Sequence, residues 1–158
     1  IDQFKHNADG NIDTMKNTVD GVAQLAYLNP FDRVEAETMN AQLGIYTEIC
    51  KAGGMNVCNI ENGDWIKIRG VDFGKSGAKK FNACVAGTTN NGQIEIRLGD
   101  SSGTLIGTCK VNPTGDNQTW KTVTSKVEKV AGVQDIYLKF TGGEGKLFNF
   151  DWWYFSAK

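Results

Sequence analysis

The side chains best suited to chemistry in this sequence are carboxylates. Glu35 and Glu37 stand two apart in Arg33-Val34-Glu35-Ala36-Glu37-Thr38, and in an extended chain that spacing turns both to the same face. A third acid, Asp151, is set inside Phe148-Asn149-Phe150-Asp151-Trp152-Trp153-Tyr154-Phe155. A carboxylate there is costly to bury unless it is paired or bound to a metal. Three readings compete. A solvated strand face needs no further explanation. A general acid and base for sugar hydrolysis need unequal environments and carboxyls about 5–5.5 Å or 6.5–9.5 Å apart. A hard cation such as Ca²⁺ needs about six to eight oxygens, some of them from elsewhere. Three acids with no histidine beside them favour the metal over the catalytic pair. A first strand lying beside the last would bring Asp151 to the two glutamates.

Other chemistries are narrowed by what the chain contains. Its single histidine, His6, leaves little room for Ser-His-Asp, Cys-His or His-rich zinc arrangements. Four cysteines, Cys50, Cys58, Cys84 and Cys109, match no zinc-ribbon spacing. An extracellular protein could pair them in three ways, but Cys84 and Cys109 fall in strand-like stretches where buried, inert thiols are expected. Lys+Arg is 17 against Asp+Glu 18, a net charge of −1 without a basic cluster, which argues against a nucleic-acid partner. No apolar run approaches the ~20 residues of a membrane span. Nothing at the N-terminus resembles an export signal, so a secreted protein would be mature or excised here.

A second set of residues is polar or aromatic and falls at turns or strand ends: Tyr46, Asn59, Asn62, Asp116, Asn117, Trp120 and Asn149. Amides donate and accept together, as sugar hydroxyls require, and aromatic faces stack on the C–H face of a pyranose. For any one asparagine a turn role suffices. Trp120 heads the alternation Trp120, Thr122, Thr124 and, like Trp65, fits a core position as well as a platform. Asn117-Gln118-Thr119 is a glycosylation sequon, meaningful only in a eukaryotic secretory host.

The elements that must position these residues are strands. Ile94, Ile96 and Leu98 alternate with Glu95 and Arg97, and Ile66 and Ile68 with Lys67 and Arg69. Val133, Ile136, Leu138 and Phe140 mark another strand, bulged near Asp135. Lys146 to Phe155 reads as a strand buried on both faces. Turn pairs such as Asn62-Gly63, Asn91-Gly92, Ser102-Gly103 and Gly142-Gly143 recur at roughly ten-residue intervals, which predicts an all-β, antiparallel two-sheet sandwich or barrel. At 158 residues, 40% apolar and 22% charged, the chain has a core large enough to fold without metal or disulfides. Residues 1–28 differ. Asn7-Ala8-Asp9-Gly10-Asn11 signals a hairpin turn flanked by Phe4, Ile12 and Met15, and its glycine falls too early for an EF-hand. Asn29-Pro30 punctuates the chain, so a domain boundary is expected there.

From about Asn29 to Ser156 the chain resembles the family 6 carbohydrate-binding modules, non-catalytic β-jelly rolls attached to plant-cell-wall hydrolases. The resemblance is carried by Arg33 to Glu37, Asn56 to Trp65, Ile94 to Leu98, Gly115 to Trp120, Ile136 to Gly142 and Leu147 to Trp152. It is nearest to the modules at the C-terminus of family 43 arabinoxylan-debranching glycoside hydrolases. Residues 1–28 resemble the last hairpin and exit linker of that catalytic domain, ending at Gly21-Val22 and Leu28-Asn29-Pro30. The resemblance implies a structural calcium held by Glu35, Glu37 and Asp151, with a main-chain carbonyl near Lys51 to Gly53. It also implies a sugar cleft at one end of the sandwich, where an asparagine and a glutamate anchor hydroxyls between a tyrosine and a tryptophan. Asn149 and Glu48 match the anchors. Asn59 and Asn117 stand at the two aromatic positions, Trp120 matches an inward-packing position, and Tyr46 is a replacement face. Some members bind on the concave sheet face instead.

The expected function is therefore a calcium-stabilised, non-catalytic, monomeric module of a secreted bacterial enzyme. It would tether its catalytic domain in cis to xylan, arabinoxylan or a related β-glycan. The alternatives are a structural module packing on that domain with a degenerate cleft, a small glycosidase or lyase using Glu35 and Glu37, and a protein-binding sandwich.

Overall fold

Period-two burial of β-branched and aromatic side chains builds this molecule. The computed structural model describes residues 6–12, 14, 26–89 and 91–157, and among these it contains strands and no helix. The strands are β1 (Val34–Glu35), β2 (Ala41–Leu43), β3 (Tyr46–Ile49), β4 (Met55–Cys58), β5 (Trp65–Asp72) and β6 (Ala78–Ala86). They continue with β7 (Gly92–Leu98), β8 (Thr104–Val111), β9 (Lys121–Val130), β10 (Val133–Thr141) and β11 (Asn149–Ser156). Hydrogen bonding follows the order β2-β5-β10-β7-β8-β9-β6-β11-β4-β3, with β1 added on β11. The pairings between these strands are antiparallel.

The path folds into a sandwich whose halves meet where β8 crosses onto β9 at Gly107↔Val127. A Cβ on Gly107 would lie 2.7 Å from Val127 Cγ1 and 3.0 Å from the Lys126 carbonyl, so the close approach requires glycine. Ile66, Ile68, Ile94, Ile96, Ile136, Leu138 and Phe140 of one sheet join Phe81, Ala83, Val85, Trp153 and Phe155 of the other in one buried cluster. Its aromatic centre is knit by Phe81–Phe155 at 5.1 Å and Phe73–Phe155 at 5.0 Å between centroids.

Two bulges re-aim acids. In β10 the register shifts between Gln134 and Ile136, as the sequence predicts. Asp135 Oδ1 there accepts the Gly70 N–H at 2.9 Å, and Oδ2 lies 3.3 Å from Lys67 Nζ. In β11 the shift falls between Phe150 and Trp152, which periodicity did not anticipate. A regular strand would send Phe150 and Trp153 to opposite faces, yet both are fully buried. Asp151 is the extra residue that makes this possible.

Three expectations need correction. Glu35 and Glu37 do not share a strand face: β1 ends at Glu35, and the Thr38 N–H bonds the Glu35 carbonyl at 2.9 Å to close a turn containing Glu37. The last strand starts at Asn149, not Lys146. The segment before it is held instead by the Leu147 N–H on the Ile60 carbonyl, 2.8 Å. Trp120 precedes β9, half-buried, and does not open the strand.

The predicted N-terminal hairpin is present as the His6↔Ile12 bridge, with Asn7 Oδ1 accepting the N–H groups of Asp9 and Asn11. Phe4, Met15, Gly21 and Val22 lie outside the described residues. Leu28 bridges Val71, and the Phe155 N–H bonds the Pro30 carbonyl at 2.7 Å. All four thiols are free. Cys84 and Cys109 are buried in β6 and β8 as expected, and burial pushes the Cys84 thiol up to about 12.

Candidate functional site: an end cleft and an acidic cluster

The β3–β4 hairpin pairs Tyr46 with Cys58 and Glu48 with Asn56, so these four side chains share one face of an edge ladder. β11 enters beside it at Asn149. Tyr46, Glu48, Asn59, Asn117 and Asn149, far apart in sequence, line one cleft of about 350 Å³, completed by Thr47, Cys58 and Lys146.

The floor of the cleft is pinned by charge-assisted bonds. Asn149, only 5% exposed, donates through Nδ2 to Glu48 Oε1 at 2.6 Å and to the Asn117 carbonyl at 2.9 Å. Gln118 Nε2 reaches the same Glu48 oxygen at 3.2 Å, while Gln118 Oε1 accepts the Lys51 N–H at 3.0 Å. Asn56 Nδ2 approaches it at 3.4 Å. The Asn117 loop is held by Asp116, whose Oδ1 accepts the Gln118 N–H at 2.7 Å, and by Thr114, bonded to Gly87 through backbone and hydroxyl. Asn59 adopts φ 56°, a left-handed conformation that asparagine tolerates better than most residues. Burial, then the neighbouring Glu48 charge, raises the Cys58 thiol above its ordinary pKa.

One aromatic, Tyr46, lines this cleft, and its side chain is open to solvent. Trp65 lies elsewhere, tilted against Tyr137 with centroids 5.1 Å apart. Trp120 does not line the cleft either, and its Nε1 is buried without a partner. Asp116 serves a turn, and Asn62 Oδ1 accepts the N–H of distant Gly142 at 3.0 Å, tying two loops together. Thr47, Cys58, Gln118 and Lys146 were missed from sequence. Only the hairpin register and the approach of two loops reveal them.

The acidic cluster forms because β1 runs antiparallel to β11, pairing Glu35 with Trp152, and the Ala36 N–H bonds the Asp151 carbonyl at 2.8 Å. First and last strands are thus neighbours, as expected. Arg33, unassigned from sequence, grips Glu35 at 2.8 and 2.9 Å, stands 3.7 Å from Asp151 Oδ2 and lies over Trp152. Asp151 is 4% exposed. Its Oδ1 and Glu37 Oε2 are buried without hydrogen-bond partners. Burial is the main cause raising both carboxyls above their ordinary pKa; the Glu35 charge raises both, and Arg33 pulls Asp151 partly back. The neighbouring Cys50 thiol also lowers the Asp151 pKa slightly, and Cys50 opens a turn closed by the Gly53 N–H on the Cys50 carbonyl. With Glu35 turned to Arg33, no group of three or more His, Cys, Asp or Glu side chains among the described residues is gathered to hold a metal. Two buried oxygen donors without partners are thus left, of the hard chemistry a cation prefers, though a Ca²⁺ ion takes about six to eight oxygens.

An antiparallel sandwich with an amide-lined end cleft is the architecture of a domain suited to bind sugar hydroxyls. The chain belongs to carbohydrate-binding module family 6, whose sequence profile matches residues 35–157. It is non-catalytic. It is 48% identical to a family 6 module from Clostridium cellulolyticum solved in complex with xylose, with a TM-score of 0.79 over 82% of this chain and 99% of that one. It is 46% identical, over 99% of its length, to an arabinoxylan arabinofuranohydrolase of Paenibacillus polymyxa, of which it spans 25%. A family 43 arabinoxylan arabinofuranohydrolase from Bacillus subtilis, solved in complex with cellotetraose, matches at 43% identity and a TM-score of 0.92, over 99% of this chain and 33% of that one.

Proposed function

We propose that this module holds a xylan- or arabinoxylan-type β-glycan in its end cleft and so keeps an attached family 43 catalytic domain on its polymer. The observation that carries this reading is the Asn149–Glu48 pair at the cleft floor, ringed by Asn59, Asn117 and Tyr46. Glu48 Oε1 is taken by amide donors, and a carboxylate has a second oxygen with which to accept from a sugar hydroxyl. Hydroxyl pairs of a sugar suit such a surface. Tethering raises the effective concentration of substrate at the catalytic domain without new chemistry. On this reading the parent is a secreted bacterial enzyme, residues 1–28 are the tail of its catalytic domain, and the module is monomeric.

The test is calorimetric titration with xylohexaose, arabinoxylan oligosaccharides and cello-oligosaccharides. Binding of the xylan set is expected, with Asn149→Ala abolishing it. Tyr46→Ala, at a side chain 66% exposed and therefore without cost to the fold, should weaken it several-fold. Absence of heat with every sugar would sink the reading. It would favour the second one, a structural module packed on its catalytic domain, for which the single aromatic in the cleft lining speaks.

The acidic cluster we assign to a structural calcium. Glu37 Oε2 and Asp151 Oδ1 are the donors already free, and Glu35 joins them once Arg33 releases it. A main-chain carbonyl of the turn at residues 51–53 would complete the set. The ion would supply only charge compensation, stitching β1 to β11.

A further inference from the structure

The cleft contains a charge that neutral sugar recognition leaves unused. Lys146 lines it, exposed, and unlike Arg33, Lys67 and Arg97 it makes no ion pair among the described residues. Its place is well defined: the next residue, Leu147, is 3% exposed and bonds the Ile60 carbonyl at 2.8 Å, which sets Lys146 at the rim beside Asn59. The one acid of the lining, Glu48, is already engaged at the floor by Asn149, Gln118 and Asn56. The rim therefore presents a cation in the same lining as the amides of Asn59 and Asn117, so a sugar carboxylate would meet a charged donor and amide N–H groups together.

We propose that the cleft selects a glycan carrying a uronic acid, with the sugar carboxylate paired to Lys146 Nζ and the neutral backbone held by Asn149 and Glu48. This rests on the reading that the cleft holds a β-glycan, and it names the class of substituent. Because the pair is partly exposed, its worth is modest and salt-sensitive.

The experiment is titration of the full chain with a glucuronic-acid-substituted xylo-oligosaccharide, its carboxyl-reduced derivative, and the unsubstituted oligosaccharide of equal backbone length. The acidic sugar is expected to bind roughly two- to fivefold tighter than the other two, with the preference fading at high salt. Lys146→Gln should abolish the preference and Lys146→Arg retain it; both substitutions sit on an exposed side chain and leave the core untouched. Equal affinity for acidic and neutral sugars, or a preference that survives Lys146→Gln, overturns the inference while leaving the cleft a glycan site. No binding of any sugar overturns both readings.

Discussion

Replacing Asp151 by asparagine separates a calcium ligand from a merely buried acid, because the two predict opposite signs. Asp151 is 4% exposed, its Oδ1 has no partner, and burial together with the Glu35 charge raises its pKa. Its one counter-charge, Arg33, stands 3.7 Å away on a side chain half open to water, so that attraction is worth about 0–1 kcal/mol. Without metal, Asp151→Asn removes a desolvated charge at small cost and should leave stability unchanged or raised. With calcium at a hundred times its Kd, the wild-type module gains about 2.7 kcal/mol by mass action. For a domain of this size that is about 5–11 °C in melting temperature. The variant should lose most of that gain. The assay is scanning calorimetry of both proteins in calcium and in chelator, with metal content checked by atomic emission. If wild type melts at the same temperature in both buffers while demonstrably metal-free in one, Glu37 and Asp151 are not calcium ligands and their unpaired oxygens need another explanation.

The pH dependence of stability offers an independent check. Glu37 and Asp151 have folded pKa values raised above 4.5 and 3.8, so between those ordinary values and the raised ones the native state binds more protons than the unfolded chain. Stability of the metal-free module should therefore fall as pH rises through that window. In calcium, which binds the charged carboxylates, the slope should reverse; urea titrations across mildly acidic pH read both. In the core, Gly107→Ala should cost about 1–3 kcal/mol in chemical denaturation, since the new methyl meets Val127 where the two sheets join. A neutral result would mean that β8 and β9 part easily there.

The chain's order of alternation, its turn residues and the aromatic run near its end sufficed to predict an all-β sandwich, the bulge at Asp135 and the buried thiols of Cys84 and Cys109. Each depends on side chains close in sequence, where a period of two and the preferences of glycine and asparagine speak directly. The family resemblance placed Glu48 and Asn149 in one sugar cleft, and the structure bonds them although 101 positions separate them. What sequence could not supply was direction. The bulge that lets Phe150 and Trp153 both enter the core arises from packing between β6 and β11, and Asp151 is aimed by it. The turn that takes Glu37 off the strand depends on β1 ending where β11 no longer pairs with it. Arg33 on Glu35, and Lys146 at the rim of a cleft shared by β3, β4, β11 and two loops, are consequences of elements meeting across the sandwich. Local pattern determines which segments become strands. Which side chains face one another is decided only when burial of the two apolar faces fixes the register between them.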